Sequence, residues 1–264
     1  MDGHRARKRF GQHFLADPGV VEAVVDAIRP REGQHIVEIG PGLAALTDAL
    51  LDRVETVQAI ELDRDLAARL RRRHPDGRLI LHEADALAFD FGRALPAADQ
   101  RLRVVGNLPY NISSPLLVRL LDYRAIVEDQ HFMLQREVVE RIVGEPGTSD
   151  YGRLSVLMQA FFVCVRLFDV PPHAFDPPPR VNSAVVRMIV RRDRLHEDPG
   201  PLQEVLAVAF GQRRKMLRGT LLPWLAQRGV SCEEIDPTAR AEQVDVDTWR
   251  ALAARLVAAG GGSG

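Results

Sequence analysis

Short runs rich in β-branched residues alternate with segments of helical periodicity along the first half of the chain. The predicted strands lie at 34–39, 56–62, 79–82, 102–105 and 131–135, and the predicted helices at 17–28, 47–53, 65–73 and 114–121. This alternation is typical of a parallel sheet covered by helices on both faces. We therefore predict an α/β fold that binds its ligands at the carboxyl ends of the strands.

Four residues able to contact a ligand follow four of these strands: Gly40, Glu61, Asp85 and Asn107. Gly40 opens a glycine turn, where the backbone lets a ligand approach closely. Ordinary strand–helix connections and nucleotide, NAD and S-adenosylmethionine sites all use such turns. Glu61 has the spacing at which a carboxylate accepts hydrogen bonds from ribose hydroxyls. A solvated strand-end acid is the alternative for Glu61. Asp85 ends the third strand, where a carboxylate can accept a hydrogen bond from an adenine amino group.

The turn fits an NAD fingerprint poorly, because Pro41 stands within it and Ala44 and Ala45 stand where a third glycine is expected. A methyl donor that carries an adenosine but no pyrophosphate needs fewer backbone N–H groups at this turn. The sequence therefore favours S-adenosylmethionine as the cofactor.

The sequence Asn107-Leu108-Pro109-Tyr110 follows the fourth predicted strand. An adenine amino group is a poor nucleophile, because its lone pair is delocalised into the ring. Two acceptors aimed at its hydrogens favour the tetrahedral geometry of attack, and the Asn107 side-chain oxygen and the Leu108 carbonyl can supply them. Pro109 stiffens the turn, and Tyr110 offers a face for base stacking that contributes about 1–3 kcal/mol. A generic β-turn with an aromatic residue is the alternative.

The stretch 170–180 contains five prolines (VPPHAFDPPPR) and cannot form a helix or a central strand. Its Phe175 is predicted to stack on the target base opposite Tyr110, so that the base leaves its own stack. A core phenylalanine beneath a loop is the alternative. The alternating residues Val181–Val190 predict one more strand of the sheet.

From Leu202 onward the pattern is helical through about Val257. We predict a catalytic domain over 1–195, a small all-helical domain over 196–259 and a disordered glycine-rich tail over 260–264. The 35 Lys and Arg residues nearly balance the 36 Asp and Glu residues. This balance does not exclude a nucleic-acid partner, because binding depends on where the charges lie.

Basic residues gather in two places, which are Arg5, Arg7, Lys8 and Arg9 near the N-terminus and the stretch 211–219 (GQRRKMLRG). On a helix, Arg214 and Arg218 would share one face. We predict phosphate contacts from Arg213, Arg214, Lys215 and Arg218; a solvated charged face is the alternative.

Two cysteines without a Cys-x-x-Cys pair predict neither a disulfide framework nor a zinc site, and no metal is expected. No stretch has the length and composition of a secretory signal or a membrane span. We therefore expect a cytoplasmic protein without a membrane partner.

The chain resembles the ribosomal small-subunit adenine dimethyltransferases, whose loss gives kasugamycin resistance in bacteria. The matching segments extend over nearly the whole chain and are KRFGQHFLAD (8–17), VEIGPGLAALT (37–47), IELDRDLAARL (60–70), GNLPYNIS (106–113), HFMLQREVVERI (131–142), YGRLSVL (151–157), VPPHAFDPPPRVNSAVVR (170–187) and FGQRRKMLRGTL (210–221).

The resemblance implies a class I, Rossmann-like methyltransferase fold with S-adenosylmethionine as the methyl donor. It maps the family's cofactor contacts onto His13, Leu15, Gly40, Glu61, Asp85 and Asn107. It also implies N6,N6-dimethylation of two adjacent adenines in a hairpin loop near the 3′ end of small-subunit (16S) rRNA, within the immature 30S subunit. A monomer with a further role in late subunit biogenesis is expected.

Two positions depart from the family pattern. His13 stands where the family usually has asparagine, so the contact there is either through the backbone or through the imidazole. A surface histidine near the edge of the cofactor is the alternative. Ala44 stands where many members have glycine, which predicts a negative φ at this position.

Three rival functions stay open. A large-subunit rRNA adenine methyltransferase of the macrolide-resistance type shares the fold, but the wording NLPYNIS and the proline stretch favour the small-subunit enzyme. A DNA adenine methyltransferase would need a larger target-recognition region. The third is an assembly factor that binds the immature subunit, with methylation as a secondary activity. Alanine variants of Glu61 or Asn107 that lose methyl transfer but keep the assembly function would support this role.

Overall fold

The structure is a computed structural model and describes residues 13–97 and 99–260. The strands, numbered in chain order, are β1 Phe14–Leu15, β2 His35–Ile39, β3 Val57–Glu61, β4 Leu79–Glu83, β5 Leu102–Asn107, β6 Val127–Gln135, β7 Phe162–Val170, β8 Phe175–Asp176 and β9 Ser183–Val190. The helices are α1 Pro18–Ile28, α2 Ala45–Leu51, α3 Arg64–Arg73, α4 Ser113–Leu120, α5 Arg136–Val143, α6 Arg153–Phe161, α7 Pro199–Phe210, α8 Leu221–Ala226 and α9 Val246–Gly260. The predicted N-terminal basic cluster and residues 261–264 of the predicted tail lie outside the described residues.

The central sheet has the strand order β4-β3-β2-β5-β6-β9-β7. Strands β2 to β6 run parallel to their neighbours, and β9 pairs antiparallel with β6. The predicted α/β fold with a mostly parallel sheet is therefore confirmed, and so is the strand predicted at 181–190. Strand β7 was not predicted, because its first residues continue the apolar run of α6 and no turn separates the two elements. A separate two-stranded ribbon pairs β1 with β8.

Helix α1 illustrates how the local sequence builds this fold. The Asp17 carboxylate accepts hydrogen bonds from the N–H groups of Gly19 and Val20 at 2.8 and 3.2 Å, and Pro18 occupies the first turn. The apolar side chains at helical spacing are buried in the core, as listed here: Val21, Val24, Val25 and Ile28. Helix α1 thus packs through one face and leaves its polar face exposed.

The chain folds into two compact units. The first comprises the described residues up to Val139 together with Val165–Val190, and it contains most of the sheet. The second comprises Glu140–Cys164 and the described residues from Arg191 onward. Segment 140–164 thus belongs to the second unit, although it falls within the domain predicted over 1–195.

Tyr151 shows why segment 140–164 belongs to the second unit. Its ring is fully buried and packs against Phe210, which in turn packs against Trp249. Its hydroxyl donates a hydrogen bond to the carbonyl of Val244 at 2.8 Å. The segment therefore contributes a core aromatic residue to a unit made otherwise of C-terminal helices and loops.

The prediction that Arg214 and Arg218 lie on one face of a helix is wrong. Helix α7 ends at Phe210, and the chain continues as turns to Met216, which forms an isolated bridge with Arg240. The N–H groups of Leu217 and Arg218 donate to the carbonyls of Ala239 and Pro237 at 2.9 and 3.0 Å. These tertiary hydrogen bonds replace the helical ones, so the basic stretch is a loop pinned to segment 237–240.

None of the helices within the described ranges combines the length and the apolar character needed to cross a bilayer.

Candidate functional site

A cavity of about 300 Å³ opens at the carboxyl ends of the central strands in the first unit. Its lining includes all four residues predicted at the strand ends, Gly40, Glu61, Asp85 and Asn107. His13, Leu108 and Tyr110 also line it. The structure therefore brings together seven of the predicted site residues, in a volume typical of small-ligand sites.

The glycine turn after β2 needs residues with positive φ. Gly40 has φ +70° and Gly42 has φ +56°, and a Cβ on Gly42 would lie 2.9 Å from the Phe14 ring. The prediction of a negative φ at Ala44 is wrong, because Ala44 has φ +74°. Ala44 is fully buried and precedes α2 in a left-handed conformation, which costs an alanine about 1 kcal/mol.

Glu61 ends β3 with only 6% of its surface exposed. Its two carboxylate oxygens accept hydrogen bonds from the N–H groups of Asp63 at 2.8 Å and Gly42 at 3.3 Å. Burial raises the pKa of Glu61, and these two bonds act against that rise. A carboxylate can accept about four hydrogen bonds, so Glu61 keeps acceptor capacity toward the cavity that it lines.

Asp85 lies two residues beyond the end of β4 and is exposed. Its Oδ1 accepts a hydrogen bond from the N–H of Leu87 at 2.9 Å, which fixes the carboxylate in a local turn. Within the described part of the chain Oδ2 makes no hydrogen bond, so it stays available as an acceptor at the cavity wall.

Asn107 is held by the N-terminal segment. Its Nδ2 donates a hydrogen bond to the His13 carbonyl at 2.9 Å, which leaves Oδ1 as the acceptor of this side chain. Leu108 is buried, and its N–H donates to the Met133 carbonyl at 3.1 Å. The Asn107 side chain and the N–H of the Asn107–Leu108 peptide are thereby fixed to neighbouring segments.

His13 contacts three elements at the edge of the cavity. Besides accepting from Asn107 through its carbonyl, it bonds the Pro177 carbonyl through Nδ1 at 2.8 Å. Because a carbonyl only accepts, Nδ1 is the donor. The imidazole also lies 5.8 Å from the Tyr110 ring, centroid to centroid, with a 30° angle between the planes. His13 thus presents both its backbone and its side chain at this site.

Tyr110 is half-buried, and its hydroxyl lies 2.9 Å from the Ser183 hydroxyl. Burial raises the pKa of Tyr110. The phenol is therefore neutral at physiological pH, and its ring forms part of the cavity wall.

Phe175 and Leu15 lie elsewhere. They pair with each other across the β1–β8 ribbon, and both belong to the main hydrophobic core, with Phe175 only 3% exposed. Phe175 is absent from the lining of the cavity, so its predicted stacking on a base gains no support from this geometry and stays a prediction. Leu15 lines a smaller neighbouring cavity of about 30 Å³ that shares Gly40, Gly42 and Asn107 with the larger one.

Glu38 adds a buried acid beneath the glycine turn. It is 2% exposed and accepts a hydrogen bond from the Thr47 hydroxyl at 2.6 Å. Burial raises its pKa to about 8, a rise to which the nearby Asp48 and Glu61 contribute. Glu38 is therefore mostly protonated near neutral pH. It also lines the smaller cavity.

The four predicted phosphate-binding residues differ in their surroundings within the second unit. The Arg213 guanidinium donates to Glu242 at 2.7 Å and to the carbonyls of Ser149 and Tyr151 at 2.6 and 3.3 Å. In contrast, three exposed side chains have no partner within the described residues: Arg214, Lys215 and Arg218. The site prediction thus divides into one internally bonded arginine and three available cations.

Sequence reasoning missed Ser183 and Arg240. Ser183 contacts Tyr110, although the two residues are 73 positions apart in sequence, and no local sequence pattern predicts such a contact. Arg240 faces Met216 in the isolated bridge and is exposed, so it lies beside the basic loop 213–218. Only the pairing of segments 216–218 and 237–240 could have identified it.

The chain is similar to known proteins over nearly its whole length. The chain is 56% identical over 262 residues to the ribosomal RNA small subunit methyltransferase A of Bordetella petrii, covering 98% of each chain. Its structure resembles a dimethyladenosine transferase from Plasmodium falciparum, with a TM-score of 0.78, 22% identity and coverage of 94% of this chain and 98% of that one. It also resembles the 23S rRNA methyltransferase ErmE, with a TM-score of 0.68, 25% identity and coverage of 92% and 99%.

Residues 3–257 match the family model described as ribosomal RNA adenine dimethylase. The match spans both compact units and every residue of the candidate site. The chain therefore belongs to the ribosomal RNA adenine dimethylase family, whose members are enzymes that use S-adenosylmethionine as the methyl donor.

Proposed function

We propose that this enzyme methylates N6 of adenines in small-subunit rRNA and produces N6,N6-dimethyladenosine. The observation that carries the proposal is the cavity at the strand ends, where Asn107 and Tyr110 face the same space as Glu61. The substrate is two adjacent adenines in a hairpin loop near the 3′ end of 16S rRNA, within the immature 30S subunit. The 56% identity to a small subunit methyltransferase supports this choice of rRNA.

The cofactor fits the residues that line the cavity. Glu61 would accept from the ribose hydroxyls, and Asp85 from the adenine amino group. Gly40, with positive φ and no side chain, lets the backbone approach the ligand, while His13 closes the side formed by the N-terminal segment. Leu15 is a more distant candidate contact, since it lines only the smaller neighbouring cavity. When bound, S-adenosylmethionine supplies an electrophilic methyl group on a sulfonium.

Asn107 and Leu108 orient the nucleophile. The Asn107 Oδ1 and the Leu108 carbonyl accept the two hydrogens of the adenine N6, which turns its lone pair toward the methyl group. The N6 lone pair would form the new N–C bond while the S–CH3 bond of the donor breaks and its electron pair returns to sulfur. N6 then loses its proton to water. After the first transfer one N6 hydrogen remains, so one of the two acceptors still holds the monomethylated amine for the second transfer.

Tyr110 supplies a face against which the target base stacks once it has left its own stack. Phe175 on the opposite face is a further part of this proposal. Because its ring belongs to the core, stacking would require the β1–β8 ribbon to release it. A Phe175→Leu variant with unchanged KM for rRNA would remove Phe175 from the proposal.

The helical C-terminal part, 196–259, is proposed to bind rRNA as a separate domain. The proposed phosphate contacts are Arg214, Lys215 and Arg218, since their side chains are exposed and have no hydrogen-bond or ion-pair partner within the described residues. Arg213 is a weaker candidate, because Glu242 already neutralises it. The rRNA substrate also suggests a cytoplasmic enzyme that acts as a monomer on the subunit and has a role in late subunit biogenesis.

Transfer of labelled methyl groups to isolated ribosomal subunits tests this proposal. Purified enzyme and labelled S-adenosylmethionine are incubated with small or large subunits that lack the modification. We expect label in the small subunit only. Label confined to the large subunit would favour the macrolide-resistance type of activity, and binding of small subunits without any label would favour an assembly factor.

A further inference from the structure

Ser183 occupies the first position of β9 and is completely buried. Its hydroxyl lies 2.9 Å from the Tyr110 hydroxyl. A buried serine hydroxyl is stable when it is hydrogen-bonded, and the phenol is its partner in the described part of the chain. The two groups are 73 residues apart in sequence.

The position of Ser183 is set by the sheet. Ser183 pairs with Gln135 in the antiparallel β6–β9 ladder, and the carbonyl of the preceding Asn182 accepts a hydrogen bond from the Arg136 N–H at 3.0 Å. Two strands therefore fix the Ser183 Cα, and its short side chain has little freedom. Ser183 therefore has a fixed position beside the turn 107–112.

Tyr110 itself lies on that turn. The turn is closed by the Ile112 N–H, which donates to the Pro109 carbonyl at 3.2 Å, and by the Ser113 hydroxyl, which donates to the Tyr110 carbonyl at 3.0 Å. These bonds fix the backbone of the turn but do not involve the ring. The far end of the ring is held by Ser183, and one side of it lies against the His13 imidazole.

We propose that Ser183 is a positioning residue for methyl transfer, acting through the hydroxyl of Tyr110. This inference rests on the proposed function, in which the Tyr110 ring receives the target base. The Ser183–Tyr110 bond fixes the far end of the ring, and hence where the stacked adenine lies and where its N6 meets the two acceptors. Since Asn107 and His13 are bonded to each other, the ring and the N6 acceptors share one frame.

A double-mutant cycle with Ser183→Ala and Tyr110→Phe tests the inference, because both variants remove one hydroxyl and keep the rest of the side chain. Each single variant should lower kcat for small subunits about five-fold, as expected for one lost hydrogen bond, while KM for S-adenosylmethionine stays within two-fold. The double variant should be no slower than either single variant, because the same bond is lost in all three.

Ser155→Ala is the matched control, since Ser155 is also a fully buried serine with a bonded hydroxyl and belongs to the other compact unit. Its effect should multiply with that of Tyr110→Phe. Full activity of Tyr110→Phe, or multiplied losses for Ser183→Ala and Tyr110→Phe, would overturn the inference. Tyr110→Phe keeps the test decisive even if Ser183→Ala does not fold. Failure of the wild-type enzyme to label small subunits would instead refute the proposed function.

Discussion

Replacing Glu61 by glutamine should weaken cofactor binding about a hundred-fold. The Glu61 carboxylate accepts from the N–H groups of Gly42 and Asp63 and keeps capacity for two ribose hydroxyls. A glutamine has one acceptor oxygen and an NH2 group, so it loses one bond to a charged acceptor and weakens another. At about 1.5–3 kcal/mol for each such bond, the binding free energy falls by about 3 kcal/mol.

Calorimetric titration with S-adenosylmethionine and with S-adenosylhomocysteine measures this loss and its cause. Both ligands contain the ribose, so hydrogen bonding predicts equal losses, whereas attraction of the sulfonium charge predicts a loss for S-adenosylmethionine alone. Glu83→Gln is the matched control, because Glu83 lies beside Glu61 in the β3–β4 register but is exposed and paired with Arg71. A Glu61→Gln affinity within about three-fold of wild type for both ligands would refute the assignment of Glu61 to the ribose.

Three further outcomes are expected. Asn107→Ala should lower the single-turnover methylation rate about a hundred-fold or more while S-adenosylmethionine binding weakens only a few-fold, because its acceptor acts on the nucleophile; a normal rate would contradict this. Alanine at Lys215 or Arg218 should reduce the slope of log affinity against log salt for rRNA by about 0.7–0.9 each, whereas Arg213→Ala should mainly lower the melting temperature, since its guanidinium bonds Glu242 and two carbonyls. Equal salt slopes in all variants would argue against the phosphate contacts. Burial lowers the pKa of His131 from 6.5 to about 4, so the unfolded chain binds the extra proton between these values, and the free energy of unfolding falls by up to about 3 kcal/mol as pH drops through that window. Urea unfolding of wild type and His131→Gln at pH 7.5 and 4.5 checks this, and an equal pH dependence in both proteins would contradict it.

The sheet and its functional edge were predictable from the sequence. Strand ends are local signals, and parallel strands place their carboxyl ends at the same edge, so Gly40, Glu61, Asp85 and Asn107 could be brought together without coordinates. The backbone conformation of the glycine turn was harder to predict. Ala44 keeps the left-handed conformation of the turn despite its Cβ, because the surrounding backbone bonds determine φ there.

Long-range pairing accounts for what the sequence did not reveal. The basic stretch has helical spacing, but hydrogen bonds from 217 and 218 to segment 237–240 make it a loop and bring Arg240 beside it. In the sequence Ser183 is an ordinary strand residue, and only the fold brings it into contact with Tyr110. Residues 140–164 join the C-terminal unit through Tyr151, whose partners lie far along the chain.

Mass spectrometry of the rRNA after reaction tests the central claim most directly. Small subunits that lack the modification are incubated with the enzyme and S-adenosylmethionine, and the fragment containing the 3′-terminal hairpin is digested to nucleosides. The account predicts two N6,N6-dimethyladenosines from adjacent positions, and far slower formation of both with Asn107→Ala. Unmodified adenines after reaction with folded, cofactor-binding enzyme would contradict it.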